Sequence, residues 1–404
     1  MPELASRGHV AARSDLAAAL QRALSGEPLD GGAALGLLST PELTAELLAV
    51  AGAVRDRVWG RTLTYSPKVF LPVTNLCRDR CTYCTFRKDP DDPDAWTMLP
   101  AEIRAWSERG RRLGCKEALL CLGDKPEVAF RAYRETLAGL GHRTTAEYVE
   151  RASAIALDAG LLPHTNAGLL SAEEMQRLKP LNVSLGLMLE NVSPRLRERG
   201  QVHQWAPDKD PALRLRMLRE AGELRIPFTT GLLLGIGETL AERVDTLLAI
   251  RDLHREHGHI QEVIVQNFRA KPTIPFADAP EPEAADLART IAVTRLLLPA
   301  DVSVQAPPNL SPRDHALLLA AGLNDWGGIS PLTPDYVNPE APWPHIAALA
   351  ATCQSAGYRL AERLAIYPSY IDRPGFLDPA LRQTVASLAA EVARTPLGTE
   401  AHLA

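Results

Sequence analysis

Short apolar segments alternate with longer helical patterns from about residue 66 of this 404-residue chain onward. Strands that alternate with helices form parallel sheets, because each helix returns the chain to the edge where the next strand starts. Eight such units over roughly 270 residues agree in count and length with a closed (β/α)₈ barrel. The sequence therefore predicts an α/β fold of the TIM-barrel type. The predicted strands are 69–74, 117–122, 161–166, 183–189, 227–234, 262–267, 302–306 and 323–326.

Helical extensions flank the predicted barrel. Residues 1–60 read as an N-terminal helical extension, with helices at 16–24 and 41–58 and a glycine-rich break at Gly31 and Gly32. We expect 343–404 to be a C-terminal helical extension on the outside of the barrel. The barrel itself occupies 61–342, where helical periodicity is clearest at 101–113, 145–159, 211–223 and 238–254.

The charge and hydropathy of the chain argue against some classes of partner. A net charge of −5 without a basic stripe or tail disfavours binding to nucleic acid or to anionic membranes. No apolar run is long enough to span a bilayer, and the first 30 residues lack the apolar core of a signal peptide. We therefore expect a cytoplasmic protein without a membrane or nucleic-acid partner.

Polar residues and glycines follow most of the predicted strands. In a (β/α)₈ barrel the chemistry lies at the carboxyl ends of the strands, so this arrangement predicts a site at that face. The segments concerned are 75–77, 123–124, 164–166, 190–191, 235–238, 266–269 and 326–330.

Three of the six cysteines lie within eight positions, at Cys77, Cys81 and Cys84, directly after the first predicted strand. Such clustering is typical of metal binding rather than of a disulfide framework. Three thiolates from one loop can hold three irons of a cubane cluster and leave the fourth iron without a protein ligand. A zinc site would need a fourth ligand, and Cys115 and Cys121 do not form a zinc-binding pair with this loop. We expect those two cysteines, with Cys353, to be small buried hydrophobic residues.

The spacing C-x₃-C-x₂-C, its place after the first strand and the aromatic Tyr83 before the last cysteine resemble the radical S-adenosylmethionine (SAM) superfamily. The resemblance implies a 4Fe-4S cluster on Cys77, Cys81 and Cys84. It also implies that SAM chelates the open iron, and that one electron then cleaves SAM into methionine and a 5′-deoxyadenosyl radical.

The same resemblance implies residues that bind SAM, with Tyr83 beside the cluster. Superfamily members carry a Gly-Gly-Glu-Pro-like turn after the second strand, and "LCLGDKPE" places Gly123 and Asp124 there, with Asp in the position of Glu. Glu190, in "GLMLEN", is the candidate for the ribose hydroxyls. Gly235, in "GLLLGIGET", lets the backbone approach adenine. The methionine carboxylate would pair with Arg214, with Arg195, Arg197 and Arg216 as alternatives.

Further segments resemble the 7,8-didemethyl-8-hydroxy-5-deazariboflavin synthases of deazaflavin cofactor biosynthesis. They include "CTYCTF", "LLPHTNAG", "GLMLENVSPRL", "IQEVIVQNFRAK" and "DWGGISPLTPDYVNPE", and the resemblance runs from about residue 62 to 370. The family implies a lyase that cyclises an adduct of tyrosine's hydroxybenzyl group with 5-amino-6-ribitylaminouracil. Ammonia is lost, and methionine and 5′-deoxyadenosine are formed.

Several strand-end residues suit that substrate. His164 and Asn166 could bond the pyrimidine or the phenol, Gln266 and Asn267 match a uracil edge, and Trp326 could stack on a ring or fill the core. The implied partners are an electron donor such as ferredoxin or flavodoxin and a sister synthase.

Three alternatives stay open. The first is the sister enzyme that joins tyrosine to the diaminouracil, which would share the cluster and the barrel. The second is a zinc-binding or interaction protein without catalysis. The third is a sulfur-inserting radical SAM enzyme, for which the remaining cysteines supply no second cluster.

Overall fold

The computed structural model describes residues 12–394, and eight parallel strands in it close into a barrel. β1 closes the ring, because its second half pairs with β2 through Lys68–Leu71 while residues 64–67 pair with β8. The predicted (β/α)₈ fold is therefore confirmed. The strands are β1 Thr62–Leu71, β2 Glu117–Cys121, β3 Leu162–Asn166, β4 Ser184–Gly186, β5 Phe228–Leu234, β6 Ile260–Asn267, β7 Ser303–Gln305, β8 Asp325–Ile329 and, outside the ring, β9 Arg359–Glu362.

The barrel strands are buried on both faces, since side chains alternate between the barrel interior and the surrounding helices. In β5 all seven residues are buried. This explains why these strands appear in the sequence as continuous apolar runs rather than as an alternating pattern.

Helices surround the ring and extend beyond it. Several begin at side-chain caps: Thr239 accepts a hydrogen bond from the Glu242 amide at 3.2 Å, at the start of α10. The helices are α1 Arg13–Ser25, α2 Gly31–Leu38, α3 Thr44–Trp59, α4 Pro100–Arg112, α5 Pro126–Ala129, α6 Arg131–Gly139, α7 Thr145–Asp158, α8 Ala172–Leu178, α9 Pro211–Glu223, α10 Leu240–His257, α11 Ala284–Leu297, α12 His315–Ala320, α13 Ile346–Ser355, α14 Pro368–Ile371 and α15 Arg382–Arg394.

Of the N-terminal helices, α2 packs on α10 and α11 of the barrel, α3 packs on α11, and α1 packs on α2 and α3. The predicted break at Gly31 and Gly32 is wrong, because both glycines begin α2. Asp30 caps that helix by accepting a hydrogen bond from the Ala33 amide at 2.8 Å.

Within residues 343–404, the structure differs from the prediction of a purely helical outer extension. β9 lies in this segment and pairs in parallel with the first half of β1. Residues 363–367, here called the floor segment, then cross the amino end of the barrel. Ser184 of β4 and Gln261 of β6 both donate to the carbonyl of Ala365, at 2.7 and 3.0 Å. Residues 1–11 and 395–404 of the two predicted extensions lie outside the described residues.

No single helix within residues 12–394 has the length and hydropathy needed to cross a membrane. The pair Gly31–Leu38 and Pro41–Trp59, bent by 96°, meets that requirement only when taken together.

Candidate active site

A cavity of about 370 Å³ extends through the barrel from the loop after β1 down to the floor segment. All of the site residues predicted from the sequence line this cavity except Gly235 and Trp326. The carboxyl ends of the strands and the barrel interior therefore form one continuous site.

The three clustered cysteines lie on the loop between β1 and α4 and line the upper part of the cavity. The turn after β2 packs directly against Cys77. The amide of Asp124 donates to the Cys77 Sγ at 3.1 Å, and a Cβ on Gly123 would lie 2.5 Å from that sulfur. Glycine is needed at position 123 because any side chain there would displace the thiol.

This loop fits an iron–sulfur cluster. Cys77, Cys81 and Cys84 are unpaired thiols at the wall of one cavity. Burial raises the pKa of the Cys81 thiol to about 12, so a bound cation is required to hold the thiolate form. A backbone amide hydrogen-bonded to one of the sulfurs is suited to thiolate ligands of a cluster.

The remaining cysteines are not all alike. Cys115 and Cys353 are fully buried, as expected, and do not line the cavity. Cys121 differs from the prediction, because it is only partly buried and lies at the cavity wall. The alternation Glu117, Leu119, Cys121 along β2, which directs all three side chains inward, is the sequence signal for this position.

Asp124 lies in a buried group of acids beside the cluster loop. Its carboxylate, with those of Asp79 and Asp208, forms a set whose ligand atoms lie within 4.8 Å of one another. Burial raises the pKa of Asp124, while Arg214 offsets part of that effect. Arg78 forms a two-pronged ion pair with Asp208, and Arg214 lies 3.9 Å from Asp124, so guanidinium groups compensate two of the three acids.

Arg214 is the one of the four candidate arginines that lines the cavity. Its guanidinium donates to the backbone carbonyls of Met188 and Asp208, which fixes its orientation. The other three, Arg195, Arg197 and Arg216, form ion pairs with Glu242, Asp210 and Glu220.

Glu190 follows β4 and forms a buried ion pair with Lys209, whose Nζ lies 2.8 Å from the Glu190 Oε1. The backbone of Glu190 is left-handed, with φ 61°, an uncommon conformation for a residue other than glycine. Burial opposes the charge on Lys209, but Glu190 overcomes this effect and raises the pKa of the ammonium group.

Tyr83 lies within the cysteine loop and is anchored by His203. Its hydroxyl lies 2.8 Å from the His203 Nε2. Burial lowers the pKa of His203 to about 2, so the ring is neutral and its Nε2 can accept the tyrosine proton.

The structure places Gly235 and Trp326 away from the cavity. The Gly235 amide donates to the Glu238 carboxylate at 3.0 Å, and a Cβ there would meet Pro282 at 2.6 Å. This glycine therefore supports a turn. Trp326 is fully buried and packs edge-on against His315, with ring centroids 5.0 Å apart. Its side chain fills the core between barrel and helices.

The candidate substrate residues lie at two depths. Asn166 and Gln266 line the cavity at the carboxyl ends of β3 and β6. Asn267 also lines it, with its amide donating to the Leu310 carbonyl at 3.3 Å. His164 lies deeper, where burial lowers its pKa to about 4 and keeps the ring neutral.

Sequence reasoning missed a charged network at the bottom of the cavity. Lys68 pairs with Glu117 at 2.8 Å, and Arg363 of the floor segment pairs with Glu262 at 2.9 Å and with Asp325 at 2.6 Å. The signal in the sequence is the presence of three carboxylates, Glu117, Glu262 and Asp325, inside predicted apolar strands. Their partners were not visible, because Arg363 belongs to a segment expected on the outside.

Comparison with known families agrees with this site. The model of the radical SAM superfamily matches residues 71–250. FO synthase of Mycobacterium tuberculosis is 49% identical over 396 residues, covering 93% of this chain and 46% of that protein. The chain thus spans about half the length of that relative.

A shorter relative matches over almost its whole length. The 7,8-didemethyl-8-hydroxy-5-deazariboflavin synthase of Methanopyrus kandleri is 50% identical over 312 residues, which cover 77% of this chain and 93% of that protein. The crystal structure of HydG, a maturase of the FeFe-hydrogenase, shares the fold with a TM-score of 0.73 at 17% identity, over 94% of this chain and 81% of HydG. The chain belongs to the 7,8-didemethyl-8-hydroxy-5-deazariboflavin synthase family within the radical SAM superfamily.

Proposed function

We propose that this chain cyclises the adduct of a tyrosine-derived hydroxybenzyl group and 5-amino-6-ribitylaminouracil to 7,8-didemethyl-8-hydroxy-5-deazariboflavin. The ring closure releases ammonia and removes two hydrogens from the adduct, with SAM as the oxidant, which is cleaved to methionine and 5′-deoxyadenosine. The release of ammonia makes the reaction that of a carbon–nitrogen lyase. The observation that carries the proposal is a continuous cavity, which joins the cysteine loop to a barrel interior lined by amide, imidazole and charged groups. The match to the shorter relative along 93% of its length supports the cyclising half-reaction.

The family's cofactors are a 4Fe-4S cluster and SAM, and Cys77, Cys81 and Cys84 would hold the cluster. When bound, this pair supplies a 5′-deoxyadenosyl radical that can remove a hydrogen atom from the benzylic carbon of the adduct. Gly123, Asp124, Glu190 and Arg214 line the adjoining wall, where they would contact SAM.

The protein groups position the adduct and exclude water. Asn166 and Gln266 offer paired donors and acceptors that match the imide edge of a uracil. The neutral imidazole of His164 can accept a hydrogen bond without bringing a charge into the barrel. Enclosure in the barrel protects reactive species from solvent.

We further propose that a small redox protein such as ferredoxin or flavodoxin supplies the electron. The adduct would come from a sister radical SAM synthase. Six unpaired cysteines suit a reducing compartment such as the cytoplasm.

The test is anaerobic reconstitution with iron and sulfide, followed by SAM, a reductant and the enzymatically made adduct. We expect deazaflavin fluorescence together with 5′-deoxyadenosine. Both should disappear in Cys81→Ala, whereas the matched control Cys353→Ala should retain them, because Cys353 is buried and does not line the cavity.

Other outcomes would contradict the proposal. If 5′-deoxyadenosine forms without deazaflavin, and a second assay that supplies tyrosine and the diaminouracil in place of the adduct consumes both, the sister reaction is the correct assignment. If a fully loaded enzyme yields neither product, the site does not cleave SAM.

An adduct carrying deuterium at the benzylic carbon should transfer it to 5′-deoxyadenosine.

A further inference from the structure

The bottom of the cavity is formed by five polar side chains, Lys68, Glu117, His164, Glu262 and Arg363, here called the charged floor. Each is less than a tenth exposed. Buried ion pairs add little stability compared with apolar residues of the same size. Stability alone therefore does not account for so many charges in the interior of a barrel.

An apolar belt separates the charged floor from the upper site. Along β6 the cavity is lined in turn by Glu262, Ile264 and Gln266, and along β2 by Glu117, Leu119 and Cys121. At about 3.3 Å per residue, four residues separate the floor from the rim by about 13 Å along the strand. The cavity thus offers an apolar middle for flat rings and a polar compartment at the far end.

The floor presents both acceptors and donors. Ser184 donates its only proton to the Ala365 carbonyl, so the His164 Nδ1, 2.6 Å from the Ser184 oxygen, must be the donor in that pair. In the neutral ring the Nε2 is then an acceptor, and it has no hydrogen-bond partner among residues 12–394. Nearby, Thr229 lies 3.2 Å from the Glu262 carboxylate.

The charge of the floor selects against anions. Lys68 and Arg363 face Glu117 and Glu262, and Asp325 lies behind Arg363 at 2.6 Å. Three carboxyl groups thus accompany two cations, and even with Glu262 protonated no excess positive charge is left for a phosphate or carboxylate. A neutral ligand with several hydroxyl groups matches this set of donors and acceptors.

Building on the function proposed above, we propose that the charged floor is the binding site for the ribityl chain of the adduct. The ribityl chain enters the cavity first, and its hydroxyl groups form hydrogen bonds with the charged floor. The rings of the adduct then occupy the apolar belt, and the benzylic carbon lies towards the cysteine loop. The same floor rejects a chain that carries a 5′-phosphate.

The test compares three adducts that differ only in the chain on the uracil: ribityl, hydroxyl-free propyl and ribityl 5′-phosphate. Dissociation constants are measured by calorimetry on cluster-loaded enzyme with SAM and no reductant, so binding is separate from turnover. We expect the ribityl adduct to bind about 100-fold more tightly than either analogue. The propyl chain leaves buried polar groups of the floor unpaired, and the phosphate finds no excess positive charge there.

In Glu262→Gln the preference for ribityl over propyl should fall to about 10-fold or less. Thr229→Val, which keeps the side-chain shape, should reduce the preference for ribityl over propyl by a smaller factor. This variant replaces Glu262→Gln in the test if Glu262→Gln does not fold. The matched control Glu150→Gln should keep the full preference, since that carboxylate pairs with Arg177 on the outer helices at 2.7 Å.

Adding reductant distinguishes the two proposals. Equal binding of all three adducts, with deazaflavin still formed, would overturn the assignment of the floor and leave the proposed function intact. Absence of both binding and deazaflavin for the ribityl adduct would refute the proposed function itself. A variant that weakens ribityl and propyl adducts equally would show that Glu262 acts only on the structure.

Discussion

Replacing Gly123 by alanine should remove the iron–sulfur cluster while leaving the barrel folded. The new Cβ would lie 2.5 Å from the Cys77 Sγ and 2.4 Å from the Cys77 Cβ. Relief to an ordinary contact of about 3.4 Å requires a displacement of about 1 Å, whereas cluster ligands tolerate about 0.2 Å. The steric strain itself should cost about 1–3 kcal/mol of unfolding free energy.

The assay is iron and sulfide per chain after anaerobic reconstitution, combined with urea denaturation. The matched control is Gly139→Ala, since a Cβ at Gly139, the last residue of α6, meets nothing within 4 Å. The control should bind a full cluster and be at least as stable as the parent. A Gly123→Ala protein with undiminished iron and SAM cleavage would refute the idea that the turn after β2 positions Cys77.

Three further predictions concern stability and the placement of residues. Burial, with a contribution from Asp325, raises the pKa of Glu262 from its ordinary value of 4.5 to about 7. The folded state therefore holds this proton more tightly than the unfolded chain, and the free energy of unfolding should fall as the pH rises from about 4.5 to about 7. Urea denaturation at several pH values across that range should show this fall in the free energy of unfolding, and Glu262→Gln should reduce its slope against pH. A slope that Glu262→Gln leaves unchanged would contradict the assignment of the raised pKa to Glu262. Lys209→Met should cost about 3–5 kcal/mol in urea denaturation, because it leaves Glu190 buried and unpaired. Trp326→Phe should lower Tm but leave KM for the adduct unchanged, because the indole is outside the cavity.

Controls for these variants follow from the exposed charges. Arg131→Met breaks an exposed pair with Glu135 on α6 and should change stability by less than about 1 kcal/mol. If Arg131→Met lost as much unfolding free energy as Lys209→Met, burial of the ion pair would not be the cause of the large effect at Lys209. For Trp326, a rise in KM with unchanged Tm would place the ring in the site after all.

The parts of the site that could be predicted from the sequence depend on local order along the chain. The spacing of Cys77, Cys81 and Cys84 brings three thiols to one loop, whatever the rest of the fold does. Residues directly after strands lie at the carboxyl face of any parallel barrel, so Asp124 and Glu190 could be assigned to the site.

The predictions of site residues were wrong where they depended on which side chains of a strand face the barrel interior. The last barrel strand was predicted at 323–326 and is Asp325–Ile329. Because side chains alternate, a small error in position decides which residue faces inward. Asp325 contacts Arg363 across the barrel interior, and Trp326 packs against His315 on the outer side.

The sequence by itself thus determined the barrel, the cluster loop and the polar strand ends, since each is a local pattern repeated at the spacing of βα units. The tertiary structure alone decided the charged floor. Lys68, Glu117 and Glu262 lie on three different strands, and Arg363 arrives from a segment about a hundred residues after β6. Such pairings depend on strand register and on how β9 directs the chain beneath the barrel, and no local pattern encodes them.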